Sequence, residues 1–514
     1  MTASRRARAL KALALWSMAV GVVPSPRVEA GDFHLDCAAK GDEGSGALPG
    51  EAWKTLDRAN RATFAPGDRL LLRSGCVFTG TLSPQGSGEP GRPILIDRYG
   101  TGALPRIDGN GAMAAVLLKD QQYWEIANLK ITNSAGTPGL RRGVLVVSER
   151  AGVLSHIHLR DLEVTDVAGQ LGADMVSKRT GGIGIEARGV EQAGRFDDLR
   201  IERCRVERVD NVGIYLWSEP GPHPRHPRWA ELRFTNVVVR GNRLDDIGKN
   251  AIVVRASEAP LIEGNLVARA ASRLHGNAIY VFGSKNALIQ GNEVHHTRYD
   301  GLEGAAYDSD FNSEGTIIQY NYSHENGGGL ANICASPPRG YNDGTIIRYN
   351  VSRDETDRVI AFDGPATNTL IHNNTVFVSK GLAPRIVEFD VFGKSLGYAD
   401  SVRIVNNIFV NEGAGTYVKG QATNVSFEAN CFAGSHPLSE PEDPRKETGA
   451  PKFADPGSVA SGIASTAGYR LLPGSPCAAS GIPIRPRPER DLLGVPVPEI
   501  ADRGALQSPP LRRP

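Results

Sequence analysis

Short runs of Val, Ile and Leu, each closed by a polar turn residue, recur through most of the chain. The clearest are VVVRGN ending at Asn242, PLIEGN at Asn265, ALIQGN at Asn292, TIIQYN at Asn321, TIIRYN at Asn350, TLIHNN at Asn374, VRIVNN at Asn407 and VSFEAN at Asn430. Earlier versions are IANLKI (Ile126 to Ile131), LRDLEV (Leu159 to Val164) and LRIERC, in which Cys204 takes the Asn position. The steps are about 23 to 33 residues, the range of stacked repeats rather than of one packed globule. Each phrase is too short for a helix and is rich in β-branched residues, so it predicts a buried strand followed by a turn.

A second strand follows in most repeats: GIGIE (Gly182 to Glu186), GIYLW (Gly213 to Trp217), AIVVR (Ala251 to Arg255), AIYVF (Ala278 to Phe282), AAYDSD (Ala305 to Asp310), VIAFD (Val359 to Asp363) and IVEFD (Ile386 to Asp390). No helix-length amphipathic segment separates the strands, which argues against βαβ units. Crossovers between parallel strands are right-handed. The pattern therefore predicts an all-β chain, a right-handed parallel β-helix with its Asn column stacked as a ladder inside the turns.

Side chains alternate across a strand. The aliphatic positions Ile214, Leu216, Ile252, Val254, Ile279, Val281, Ile360, Phe362, Val387 and Phe389 mark the inward column of the second strand. Its outward column is then Tyr215, Trp217, Arg255, Tyr280, Phe282, Asp308, Asp310, Asp363, Glu388 and Asp390, half of it aromatic or basic and half carboxylate.

Composition changes little. The chain has 514 residues, but a solenoid grows by addition and needs one continuous core. A net charge of +1 gives no long-range attraction to nucleic acid or an anionic membrane. Arg5, Arg6 and Arg8, an apolar run from Ala12 to Val23 too short to span a bilayer, and Val28-Glu29-Ala30 predict a cleaved targeting segment over residues 1–30. A secreted or periplasmic monomer without a membrane span is the expectation. Residues 31–110 read as an N-terminal cap and first strands, with a capping helix over Ala52 to Arg61. The coils run over 111–435, and 436–514 form a closing segment with a Pro-rich tail.

Three stretches carry a family resemblance. FAPGDRLLLRSGCVFTGTLSPQGSGEPGRPILIDRYGTG, the internal GAAYDSDF and TIIQYNYSHENGGG, and the closing YRLLPGSPCAASG with RDLLGVP and DRGALQ resemble secreted right-handed β-helix proteins of the pectin-lyase-like superfamily. That resemblance implies a carbohydrate-active protein. It leaves the reaction open, because the superfamily holds hydrolases, lyases, epimerases and tailspike-type binding proteins. Among six cysteines, Cys37 with Cys76 would staple the cap and Cys431 with Cys477 the closing segment. Cys204 and Cys334 lie several coils apart, and coils advance by about 4.8 Å, so both should be buried free thiols.

A single outward Tyr or Asp is ordinarily solvated surface. Carboxylates stacked in register are different, because neighbouring like charges repel and raise at least one pKa. Asp308, Asp310, Asp363 and Asp390 are accordingly the candidate catalytic carboxylates. Tyr215, Trp217, Arg255, Tyr280, Phe282, His324, Glu325 and Glu388 are candidate substrate contacts; His295 and His296 also flank the turns. Asp308 and Asp310 stand about 6.5 Å apart between Cα atoms, Asp363 and Asp390 about 4.8 Å and Asp308 and Asp363 about 9.6 Å, so the spacings of both retaining and inverting glycoside hydrolysis are available. The first reading is a glycoside hydrolase that needs no cofactor. The second is a lyase on uronate-containing polysaccharide, in which Asp308, Asp310 and Asp363 would hold Ca²⁺ and Arg255, Arg358, Arg385 or Tyr299 would act on the substrate. The third is a non-catalytic glycan-binding solenoid.

Overall fold

The protein is described by a computed structural model over residues 30–336, 340–389 and 397–508. Most of the expected targeting segment, the end of the Pro-rich tail and Asp390 lie outside the described residues. Each coil visits three parallel sheets in turn. In one coil Leu288–Gln290 joins the first sheet, Glu293–His295 the second and Tyr307–Ser309 the third. The sheets hold 14, 13 and 11 strands among the described residues, and every neighbour in each is the equivalent strand of the next coil. This is the right-handed parallel β-helix that the repeating apolar phrases predict.

The core is a set of stacked columns. Ile262, Ile289, Ile318, Ile347, Ile371 and Ile404 pair in register through the first sheet and are all fully buried. Ile214, Ile252, Ile279, Tyr307, Ala331, Ile360 and Val387 form the matching column of the third. Each full aliphatic burial contributes about 1.5–3 kcal/mol. Tyr307 enters this column because its hydroxyl reaches the carbonyls of Asn292 at 2.9 Å and Tyr322 at 3.1 Å, so its polar end is satisfied inside the core.

The Asn ladder forms along the bend between the first two sheets. The backbone N–H of each ladder residue donates to the side-chain oxygen of the next rung, as from Asn292 to Asn321 and from Asn321 to Asn350, both at 2.9 Å. The side-chain amide donates to the same oxygen and to a carbonyl of the preceding coil. Cys204 takes the first place in this series, its N–H donating to Asn242, and Asp443 receives the last rung, Asn430. The residue before each rung is left-handed: Gly241, Gly264 and Gly291, then Tyr320, Tyr349, Asn373, Asn406 and Ala429. Gly and Asn tolerate that conformation, which suits the five phrases that end in GN or NN; Tyr320, Tyr349 and Ala429 adopt it in the other three.

The N-terminal helix covers Leu56–Arg61, capped by the Thr55 hydroxyl, and is shorter than expected. Its predicted first turn is lost because Trp53 instead bridges Leu35 and donates its N–H to the His34 carbonyl. Asp32–Leu35 already belongs to the first sheet, so the cap region is itself threaded with strands. Cys37 pairs with Cys76 and Cys431 with Cys477; Cys204 and Cys334 are buried and free. In the closing segment, Val459, Tyr469, Ala505 and Leu506 pack against Tyr322 and Val351. Among the described residues no helix is long and apolar enough to cross a membrane.

Candidate active site

The outward face of the third sheet carries two parallel columns. One runs Tyr215, Val253, Tyr280, Asp308, Asn332, Ala361, Glu388. Two residues further along each strand, Glu186 pairs with Trp217, Arg255 with Phe282, and Cys334 with Asp363. The carboxylates therefore do not form one ladder of five. Asp308 and Asp363 occupy different columns, with Asn332 and Cys334 between their coils.

Two asparagines hold the pair. Asn277 donates to Asp308 Oδ2 at 2.7 Å, and its side-chain Oδ1 accepts the backbone N–H groups of Gly304 and Ala305, pinning the turn that leads into the strand. Asn332 donates to Asp363 Oδ2 at 2.9 Å, joined by the Cys334 thiol at 3.4 Å. Asp308 Oδ1 and Asp363 Oδ1 are buried and accept no hydrogen bond among the described residues. Burial, then the charges of Asp310, Glu303 and Asp363, push the Asp308 carboxyl far above the usual range. Asp363 is raised chiefly by burial. Asp310 is half-buried; burial raises it to about 6, against the pull of the Phe311 N–H and the Arg255 charge.

Glu303 and Lys249 belong to this site and escaped the strand pattern because both sit on turns. Glu303 lies in the turn that Asn277 pins, half-buried, 4.0 Å from Lys249 Nζ. Lys249 is 2% exposed, donates to the His275 carbonyl, and is brought down to about 8 by burial. Their sequence signal was the turn after each second-sheet strand, the point where a chain enters the third sheet. At the other end of these strands, the loop after Ser218 passes along the sheet edge. Its Arg225 stacks on Tyr341 at 3.6 Å and pairs with Glu314 and Asp343.

Several expected contacts are placed otherwise. Tyr215 is fully buried, its hydroxyl donating to Glu186 at 2.7 Å in a cluster with Arg142, so it offers no face to a ligand. Trp217 and Phe282, expected as substrate contacts, carry the Arg255 guanidinium between them, 4.1 and 4.3 Å from their ring centroids. Tyr280 is 6% exposed beside them. Glu388 is buried and held by Arg385 at 2.8 Å, with Lys419 at 3.6 Å and Arg358 at 3.9 Å. Arg358 lies over the Tyr299 ring, whose hydroxyl meets Arg385. His324 and Glu325 belong to the second sheet and the bend after it, a different face from Asp308, and His324 is 3% exposed. They were grouped with the carboxylates by nearness in sequence, which a three-sided coil does not preserve.

No protein-family model matches the chain. Over 476 aligned residues, 74% of this chain, it is 24% identical to a lacto-N-biosidase of Bifidobacterium longum subsp. longum, and it spans only 29% of that protein's length. Among solved structures it resembles the GH136 lacto-N-biosidase from Eubacterium ramulus, with a TM-score of 0.60 and 23% identity over 77% of this chain and 67% of that one. It also resembles XylC in complex with xylose, with a TM-score of 0.51 and 12% identity over 93% and 98% of the two chains.

Proposed function

We propose that the protein is a glycoside hydrolase whose reacting bond lies against Asp310 and Glu303, on the outward face of the third sheet. The observation that carries this reading is Asp310 itself. It is the accessible member of a cluster of raised carboxyls, and a pKa near 6 suits a group that must hold a proton and give it to a leaving oxygen. Glu303, facing the Lys249 ammonium, is the second carboxylate. Asp308 and Asp363, buried and raised, stand behind them with a free oxygen each. The relatives named lacto-N-biosidase support the same reaction class, and two disulfides suit a chain that works outside the cytoplasm.

The donor set weighs against a calcium-dependent lyase. Ligand atoms of Asp308, Asp310 and Cys334 converge within 4.8 Å of one another, but Ca²⁺ takes six to eight oxygens and a thiol is a poor partner for it. The test is purified protein on a panel of neutral and uronate-containing glycans that includes lacto-N-biosides. Hydrolysis yields reducing ends without ultraviolet absorbance. A product absorbing as an unsaturated uronate would establish the lyase, and binding without turnover the non-catalytic solenoid.

A further inference from the structure

On the second sheet, away from the candidate active site, two consecutive coils bring three imidazoles and two carboxylates together. Glu293 and His295 lie on one strand; Tyr322 and His324 are their register partners on the next. His296 and Glu325 follow at the left-handed bends of the same two coils. The His295 and His324 rings stack, with centroids 4.9 Å apart and planes 18° from parallel. The hydrolysis proposed on the third sheet uses none of these groups.

We propose that Glu293, His295 and His324 form a binding site for a first-row transition metal of the zinc class. One ligand atom from each lies within 4.8 Å of the other two. His324 Nε2 and Glu293 Oε1 are 3.2 Å apart, close to the roughly 3.3 Å that separates neighbouring ligands of a tetrahedral ion with bonds near 2.0–2.1 Å. His296 lies beside the three, its Nδ1 2.8 Å from His295 Nδ1.

Two further observations point to a cation. His324 Nδ1 lies 3.0 Å from Glu325 Oε2, the arrangement in which a carboxylate behind a ligating imidazole fixes its tautomer and aims its other nitrogen at the ion. Neither Glu293 nor Glu325 forms an ion pair with lysine or arginine among the described residues. The comparable cluster of Glu125, His156, His158 and Asp198 on the first sheet differs there: Arg160 neutralises Glu125 and Arg200 neutralises Asp198.

The closing segment covers the site. The Gly462 N–H donates to Glu293 Oε1 at 2.7 Å, and Arg353 reaches the Val459 carbonyl alongside. A metal here orders Glu293 and with it the segment laid over the sheet, so its role is to fasten the C-terminal closure.

The experiment strips the purified full chain with a chelator and titrates it with Zn²⁺, Co²⁺ and Ca²⁺. The expected result is one equivalent of Zn²⁺ with a raised melting temperature, and one of Co²⁺ with the visible absorption of a four-coordinate ion. His295→Ala, at a partly exposed position, should fold and lose this binding by at least about 100-fold. Glu325→Gln, which keeps the ligands but weakens the group behind His324, should weaken it by about 10–100-fold. His156→Ala should change nothing. The proposal is overturned if stripped wild type takes up neither Zn²⁺ nor Co²⁺, in which case His324 is simply an imidazolium between two carboxylates. It is equally overturned if uptake is lost in His156→Ala rather than His295→Ala, or if Ca²⁺ alone binds.

Discussion

The Arg255 guanidinium lies between the rings of Trp217 and Phe282, and its charge draws the Asp310 carboxyl downward. An aromatic pair that would serve as a sugar platform in isolation here positions a cation. Replacing Arg255 by Met removes that charge and keeps the stem. Asp310 should then titrate above about 6, and the alkaline limb of the kcat/KM profile should move to higher pH. An unmoved limb with unchanged fold would separate Asp310 from the proton transfer.

Asp310→Asn and Glu303→Gln should each reduce turnover by about 10² to 10⁴. Their stabilities distinguish catalysis from structure. Asp310 is raised in the folded chain, so between its usual value near 4 and about 6 the native state binds more protons than the unfolded one. Wild-type stability should fall as pH rises through that window. Asp310→Asn should abolish the fall, matching wild type near pH 4 and exceeding it above pH 6 in thermal melts. A variant less stable at both pH values would mark Asp310 as a structural turn residue.

Lys249 supplies the charge opposite Glu303. Burial lowers it to about 8, so between there and its usual value near 10.5 the native chain binds fewer protons than the unfolded one. Stability should gain across that alkaline window, and Lys249→Met should remove the gain. The same variant should lower kcat at neutral pH, where Glu303 loses its partner. Retention of full activity would place Glu303 outside the reaction.

Asn321→Ala removes the acceptor of the Asn292 N–H and the donor to the Ile289 carbonyl, both buried. At about 1–3 kcal/mol for each orphaned group, the loss should be at least about 2 kcal/mol in chemical denaturation. A loss below about 0.5 kcal/mol would show that neighbouring coils close the gap.

Cys204 and Cys334 should stay unmodified by alkylating reagents in the native protein and react on denaturation. Burial pushes the Cys204 thiol up to about 12 and Cys334 well above its ordinary value. Peptide maps should show them unpaired beside the 37–76 and 431–477 bridges. Native labelling of Cys334 would mean that the Asp363 coil opens.

The apolar phrases made the fold legible because each coil repeats the same inward positions, from Ile262 through Ile404, and the same Asn turn. The cysteine pairs were legible from their placement at the two ends. The candidate site was only half legible. Period-two alternation found Asp308, Asp310 and Asp363, but it cannot see Glu303 or Lys249, which reach the sheet from turns with no periodicity. Nor does alternation distinguish an exposed Tyr from one like Tyr215, whose hydroxyl is claimed by Glu186. His324 and Glu325 were misplaced because a short segment can turn from one face of the coil to another.

The ladder that ends at Asp443 has a direction. Every Asn both gives and takes, passing its hydrogen bonds toward the C-terminus, and at the last rung the Asp443 carboxylate, which takes without giving, ends the series. Asp443 closes it twice over, accepting from Asn430 with one oxygen and from Ala429 and Arg445 with the other. Growth of this protein by duplication is therefore easy in the middle, where a new coil needs one more Asn. At the C-terminal end an added coil would separate Asn430 from the Asp443 carboxylate that accepts from it.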